Sequence, residues 1–105
     1  MGLLPEWLEK VEEFEWDEGN RDKNWEKHRV PNGQAEEVFF HRPLLFFESG
    51  QPSLESRYLL LGQSGGGRKL AVVFTVRGKR VRVISARDMS RKERGIYEGS
   101  DQEAA

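Results

Sequence analysis

The residue that most clearly offers chemistry in this sequence is a histidine. His28 follows Lys27 at the end of a predicted helix, and histidine can exchange a proton at cellular pH, so we interpret His28 as a candidate general base or acid. The structural alternative is an imidazole that contacts the last carbonyl groups of the helix. The other histidine, His41, follows two phenylalanines and precedes Pro43, and we interpret it as a loop residue.

Three arginines lie in predicted strands and are the candidate phosphate ligands. Arg57 opens one strand, Arg82 lies in the middle of another, and Arg87 leaves the end of that strand. A guanidinium can bind two phosphate oxygens at once and stabilise the extra charge of a pentacovalent transition state. Pairing with an acid is the structural alternative. Arg87 lies an even number of residues after Val81 and Val83. Strand alternation therefore predicts that it points to the same, helix-covered side, unless a bulge intervenes.

The charges are distributed unevenly along the chain. The net charge is only −1, yet residues 68–94 contain ten of the 17 lysines and arginines, against Asp88 and Glu93. Residues 1–26 contain nine acids against three basic residues. This asymmetry indicates either an anion-binding face, with nucleic acid as the leading ligand, or two solvated halves that attract each other.

Composition narrows the class of protein. A chain of 105 residues with 36% hydrophobic content predicts one domain with a modest core. The sequence has no cysteine, which excludes disulfides and thiolate metal sites and fits a cytoplasmic location. We predict no metal and no cofactor. No apolar run approaches the roughly 20 residues of a membrane span, and the N-terminus lacks a signal-peptide pattern, so we predict no membrane association.

The elements that must position these residues follow from periodicity and turn residues. They are a strand at residues 14–17, helices at 18–28 and 34–40, strands at 44–48, 57–62, 70–76 and 81–86, and a helix at 90–97. Ser90 and Glu93 predict a capping box at the start of the last helix. Short turns between consecutive strands predict an α+β fold: an antiparallel four- to five-stranded sheet with two helices on one face and a basic C-terminal helix.

A set of short motifs occurs in a characteristic order along the chain. They are Phe14-Glu15-Trp16-Asp17, Asn24-Trp25-Glu26-Lys27-His28, Ala35-Glu36-Glu37-Val38-Phe39, Pro43-Leu44, Arg57-Tyr58-Leu59-Leu60-Leu61-Gly62, Val72-Val73-Phe74-Thr75, Arg82-Val83-Ile84-Ser85-Ala86-Arg87 and Arg91-Lys92-Glu93-Arg94 with Tyr97. Each motif is weak alone, but the ordered set resembles the BrnT family of bacterial type II toxins. The resemblance covers about residues 14–98.

The resemblance implies a fold, an activity and a partner. The fold is RelE-like, and the activity is a metal-independent ribonuclease that inhibits translation by cleaving RNA. The partner is a BrnA-type antitoxin with a ribbon-helix-helix domain. The complex binds operator DNA only through this antitoxin. Carried over to this chain, the resemblance gives His28, Arg57, Arg82 and Arg87 as catalytic. We expect four further cations to bind RNA: Lys27, Lys69, Arg80 and Arg91.

The chain also departs from the family pattern. Gly usually follows the Lys-His pair, where this chain has Arg29, and an aromatic often stands in the place of Asn32. Residues 1–13 are predicted to form an acidic helical extension before the BrnT-like domain of residues 14–98. Residues 99–105 are predicted to form a disordered tail.

Two alternatives to a toxin ribonuclease follow from the sequence. One is a non-catalytic, degenerate toxin that serves as a protein-interaction module for an antitoxin-like partner. The other is a general RNA-binding domain, which ranks last because the predicted sheet lacks an exposed aromatic pair for stacking bases.

Overall fold

The sheet is built on the hairpin that the two apolar runs of residues 70–76 and 81–86 predict. The computed structural model describes residues 12–49 and 56–104. Its strands are β1 (Glu13–Glu15), β2 (Leu44–Ser49), β3 (Arg57–Gln63), β4 (Lys69–Arg77) and β5 (Arg80–Asp88). Its helices are α1 (Lys23–His28), α2 (Asn32–Glu37) and α3 (Arg91–Ala104). The α+β class predicted from the sequence is confirmed.

The five strands form one mixed sheet in the order β1-β5-β4-β3-β2. The meander from β2 to β5 is antiparallel, as predicted. β1 pairs with β5 in parallel, so the prediction of a purely antiparallel sheet is wrong at this edge. The register places Glu13 beside Arg80 and Glu15 beside Arg82, so charge complementarity accompanies the parallel pairing.

One face of the sheet carries the larger core. Phe74 on β4 is fully buried and meets the ring of Phe39, which follows α2, with ring centroids 5.0 Å apart. Val38 packs so closely on this face that a Cβ on Gly62 would lie 2.7 Å from its carbonyl oxygen. Only glycine permits this approach, and the resulting core fixes the segment containing α2 on the sheet.

The other face is covered in part by α3. Tyr97 and Met89 pack with Leu61 and Ala71, and the Tyr97 hydroxyl donates a hydrogen bond to the carbonyl oxygen of Arg42 at 2.9 Å. Burial raises the pKa of the Tyr97 hydroxyl. Within the described residues, no helix combines the length and the apolar character that crossing a bilayer requires.

Several boundaries differ from the predicted ones. Residues 18–22 form turns, so the helix predicted to begin at residue 18 begins at Lys23, and α2 ends at Glu37 rather than at residue 40. The last helix continues through Ala104 and includes most of the tail predicted as disordered. Most of the predicted N-terminal helix, residues 1–11, lies outside the described residues, and its predicted end at Glu13 belongs to β1.

A β-bulge in β5 reverses the side on which its last residues lie. Phe74 pairs with Val83 while the neighbouring Val73 pairs with Ser85, which leaves Ile84 as an extra residue. After this bulge Arg87 lies opposite Ala71, on the face that α3 covers in part. The simple alternation that placed Arg87 on the same side as Val83 is therefore wrong, because one extra residue inverts the pattern.

Two buried asparagines complete the outer edge of β5 beyond the short β1. Asn20 donates to the carbonyl oxygens of Val83 (3.0 Å) and Glu15 (2.9 Å), and the Ala86 N–H donates to Asn24 Oδ1 at 2.9 Å. These asparagines are only 3% and 1% exposed. They satisfy backbone groups that a buried strand edge would otherwise leave unpaired, and they fix α1 beside β5.

We predict that Asn24→Ala lowers the free energy of unfolding by about 2 kcal/mol, because the buried Ala86 N–H loses its acceptor. Urea denaturation followed by circular dichroism measures the change. Asn32→Ala is the matched control, since that amide donates only to an exposed carbonyl of Arg21, and we expect a loss below about 1 kcal/mol. Equal losses for the two variants would contradict the role assigned to Asn24.

Candidate functional site

Charged side chains gather at the two ends of β5. We call the end where β5 begins the hairpin end, defined by Arg80 and Arg82 with the acids Glu13, Glu15 and Asp17. We call the end where β5 finishes the basic end, defined by His28, Arg68, Arg87, Asp88 and Arg94. Arg82 pairs with Thr75 and Asp88 with Leu70, five residues apart on β4, so at about 3.3 Å per residue the two ends are about 17 Å apart.

At the hairpin end, Arg82 is held by two carboxylates. Its guanidinium donates to Asp17 Oδ2 at 2.6 Å and Oδ1 at 3.1 Å, and lies 3.4 Å from Glu15 Oε2. The hydrogen bond from Arg82 lowers the pKa of the Asp17 carboxyl, and the same contact raises the pKa of the guanidinium. The Arg82 side chain is only 18% exposed, so this ion pair is part of the fold.

Arg57 is exposed at the start of β3 on the same face of the sheet as Arg82. Tyr58 pairs with Phe74, which brings Arg57 beside Thr75, and Thr75 in turn pairs with Arg82. The sheet therefore aligns the two arginines across adjacent strands, with one strand between them. Arg80 lies at this end too and forms an ion pair with Glu13.

At the basic end, Arg68 joins the end of α1 to the end of β5. Its guanidinium donates to both carboxylate oxygens of Asp88, at 2.7 and 3.1 Å. It also donates to the carbonyl oxygens of Arg29 at 2.8 Å and His28 at 3.2 Å, and to Gln34 Oε1 at 3.2 Å. The half-buried His28 is thus fixed through its backbone.

The charges around Asp88 are predominantly positive. Hydrogen bonds from Arg68 are the main cause that lowers the pKa of the Asp88 carboxyl, and the positive charges of Arg94 and His28 lower it further. Arg94 is exposed on the first turns of α3. Positive charge therefore exceeds negative charge around this carboxylate, an arrangement that can attract an anion.

Arg87 lies at the same end of the sheet and is paired with the first turn of α3. It donates to the two carboxylate oxygens of Glu93 at 2.6 and 2.9 Å. Glu93 also accepts the Ser90 N–H at 2.8 Å, while the Ser90 hydroxyl accepts the Glu93 N–H at 3.2 Å, which confirms the predicted capping box. Arg87 lowers the pKa of Glu93 from its ordinary 4.5 to about 2.

The predicted catalytic residues are therefore divided between the two ends. His28 and Arg87 lie at the basic end, whereas Arg57 and Arg82 lie at the hairpin end. Of the predicted RNA-binding residues, Lys27, Lys69 and Arg91 belong to the basic end. Lys69 is paired there with Glu98 at 2.7 Å, and this lowers the pKa of the Glu98 carboxyl.

Sequence reasoning missed Arg68, Asp88 and Arg94. All three belong to the basic segment of residues 68–94, but their convergence on α1 depends on tertiary contacts and has no local signal. Within residues 12–49 and 56–104, no three His, Asp or Glu side chains are grouped so that they could hold a metal ion.

The backbone after His28 explains how this chain accommodates a residue other than glycine. Arg29 has φ 54° and ψ 39°, the left-handed conformation that commonly ends a helix, and its N–H donates to the carbonyl oxygen of Trp25 at 3.0 Å. Arg68 binds its carbonyl oxygen. The helix end thus adopts the conformation that glycine favours, although the residue is arginine.

Comparisons with known proteins agree with this fold. Residues 16–93 match the sequence family described as the ribonuclease toxin, BrnT, of type II toxin-antitoxin system. The crystal structure of the Brucella abortus ribonuclease toxin BrnT superposes with a TM-score of 0.56 and 26% sequence identity, over 75% of this chain and 97% of that one. No curated protein matches the chain.

The fold and the family match define a toxin of the type II class. This chain belongs to the BrnT family. Membership implies an antitoxin partner, since a type II toxin is one half of a toxin–antitoxin system.

We predict that Glu93→Gln lowers the free energy of unfolding by about 2 kcal/mol at pH 7, a value reduced for solvent screening because the Arg87 side chain is 38% exposed. A carboxyl with a lowered pKa stabilises the fold above its ordinary pKa of 4.5, and this contribution disappears as the pH falls toward 2. The difference between the two proteins should therefore close over this range.

Chemical denaturation from pH 7 to pH 2 measures this dependence. Glu98→Gln is the control, because that carboxylate is exposed and forms its ion pair with Lys69, and we expect a smaller change. A Glu93→Gln difference that stayed constant down to pH 2 would contradict the role of the Arg87–Glu93 pair.

Proposed function

We propose that the protein is a metal-independent endoribonuclease toxin that acts in the cytoplasm and inhibits translation by cleaving RNA. The observation that carries the proposal is the placement of His28 at the basic end, where Arg68 binds both its backbone carbonyl and the Asp88 carboxylate. A proton acceptor beside guanidiniums is the minimal equipment for cleaving a phosphodiester by means of its own 2′-hydroxyl.

The proposed reaction begins when His28 takes the proton of a ribose 2′-hydroxyl. The oxygen attacks the adjacent phosphorus, and the bond to the 5′-oxygen breaks. The leaving oxygen takes a proton from water, which gives a 2′,3′-cyclic phosphate and a free 5′-hydroxyl.

Arginines supply the charge for the phosphate. Arg87 and Arg94 at the basic end hold the reacting group, and Arg94 is exposed on α3. Binding through Arg87 requires the phosphate to compete with Glu93 for the guanidinium. Arg57 and Arg82, at the hairpin end, contact the RNA backbone some nucleotides away. Such contacts make binding sensitive to salt, as do those proposed for Lys27, Lys69, Arg80 and Arg91.

The proposed partner is a BrnA-type antitoxin with a ribbon-helix-helix domain. The family places this chain in a toxin–antitoxin system, which supports a partner encoded for neutralisation. In this proposal the complex reaches operator DNA through the antitoxin, while the toxin contributes its active surface to the protein interface.

We predict that the purified protein cleaves single-stranded RNA in the presence of EDTA, and that His28→Ala slows cleavage at least about 100-fold by removing the base. Gel analysis of 5′-labelled RNA measures the rate, and kinase labelling of the new 5′-hydroxyl identifies the products. His41→Ala is the matched control: the other histidine is exposed in the turn that leads to β2, and we expect no change.

Two results would count against this scheme. Full activity in His28→Ala would remove that residue from the mechanism. Activity that disappears in EDTA and returns with Mg²⁺ would contradict metal independence.

A second candidate function has one specific observation in its favour. Carboxylates of the chain itself already bind Arg82 and Arg87, as they would in a non-catalytic module that only binds an antitoxin-like partner.

From the proposed ribonuclease function we predict that expression of the protein alone arrests bacterial growth, and that co-expression of the antitoxin restores growth. Growth curves measure both effects. Unimpaired growth on expression of soluble protein, with His28→Ala as the reference, would favour the non-catalytic module.

A further inference from the structure

Arg29 occupies a backbone conformation that is unfavourable for arginine. Its φ of 54° lies in the left-handed region, where a side chain with a Cβ is strained and glycine is not. A strained non-glycine residue is a reason to ask what its side chain does. Among the described residues, Arg29 makes no ion pair that would account for an arginine at this position.

The Arg29 guanidinium instead lies over the indole ring of Trp25. The distance from its Cζ to the ring centroid is 5.3 Å, which is a cation–π contact. Trp25 is 49% exposed, although the neighbouring Asn24 is buried against β5. The helix thus turns Trp25 away from the sheet, and a large aromatic surface remains in solvent with one cation beside it.

The pair is adjacent to the proposed base. His28 and Arg29 follow Trp25 by three and four positions, the spacings that bring side chains together on one side of a helix. Arg68 holds the carbonyl oxygens of both His28 and Arg29, which fixes this helix end on the sheet. The indole, the guanidinium and the imidazole therefore share one rigid support.

We infer that Trp25 and Arg29 form a nucleotide subsite beside His28, in which a base of single-stranded RNA stacks on the indole and Arg29 binds the adjoining phosphate. The inference rests on the proposed RNA cleavage and adds the residues that position the substrate. An exposed indole can stack on any base, and a neighbouring guanidinium adds phosphate binding, so the subsite takes single-stranded RNA with little base preference.

We predict opposite effects of Arg29→Gly on stability and on substrate binding. Glycine relieves the left-handed strain, so Tm should rise by about 4 °C, while the KM for RNA cleavage should increase about tenfold with little change in kcat. Thermal melts and steady-state kinetics measure the two effects. A merely structural role for Arg29 predicts no rise in KM in the better-folded variant.

The chain offers a matched control in Arg42. It is also an arginine at φ 54°, and it precedes β2, the edge strand that β4 and β3 separate from β5. Arg42→Gly removes the same charge at the same kind of backbone position, and we expect a KM within about twofold of the parent value. An equal increase in both variants would mean that net charge alone sets KM, which would overturn the subsite.

Trp25 is tested by fluorescence as well as by kinetics. A short 2′-O-methyl RNA, which lacks the attacking hydroxyl and cannot be cleaved, should quench tryptophan emission of the parent protein. In Trp25→Leu this quenching should be lost and the KM should increase about tenfold, whereas Trp25→Phe should keep part of the affinity because it retains an aromatic face.

The outcomes separate the subsite from the proposed activity. If the parent protein cleaves RNA and both Arg29→Gly and Trp25→Leu leave KM unchanged, the subsite is wrong and the ribonuclease stands. If the parent does not cleave RNA, the proposed function fails. The quenching experiment still tests the subsite in that case, and quenching that neither substitution changes overturns it. Loss of antitoxin binding without loss of RNA binding would assign Trp25 and Arg29 to a protein interface instead and overturn the inference.

Discussion

The structure depends on how the backbone N–H and C=O groups along the outer edge of β5 find hydrogen-bond partners. β1 covers only the first three residues of this edge, from Arg80 to Arg82, and a strand edge buried without partners is costly. Asn20 and Asn24 replace a longer strand with two side-chain amides that bind the backbone of Val83 and Ala86. Because these amides belong to the turn before α1 and to α1 itself, satisfying the edge also determines where α1, and with it His28, must lie.

A second constraint is the pairing of guanidiniums with carboxylates of the same chain. Arg82 binds Asp17, Arg87 binds Glu93 and Arg68 binds Asp88. These pairs neutralise part of the charge of the basic segment within the folded chain. They also mean that an anionic ligand must compete with carboxylates for some of the arginines. The exposed guanidiniums of Arg29, Arg57 and Arg94 are the more accessible ones.

The ordered motifs and the family match identify the same family. The family match extends over residues 16–93 and so includes α1, α2 and the whole meander. The match does not say which arginines lie near His28. The structure places Arg87, Arg68 and Arg94 at the same end of the sheet as His28, and it places Arg57 and Arg82 at the other end. The position of Arg29 shows that the departure from glycine leaves the left-handed helix end intact.

The sequence by itself determined the features that depend on neighbours along the chain. Alternation and turn residues predicted the four strands of the meander, and the spacing of Ser90 and Glu93 predicted the capping box, because these are set within a few residues. Tertiary structure alone decided the parallel pairing of β1, the extra residue Ile84 that turns Arg87 to the other face, and the convergence of Arg68 on His28. Each of these depends on register or on contacts between distant segments, which local periodicity does not encode.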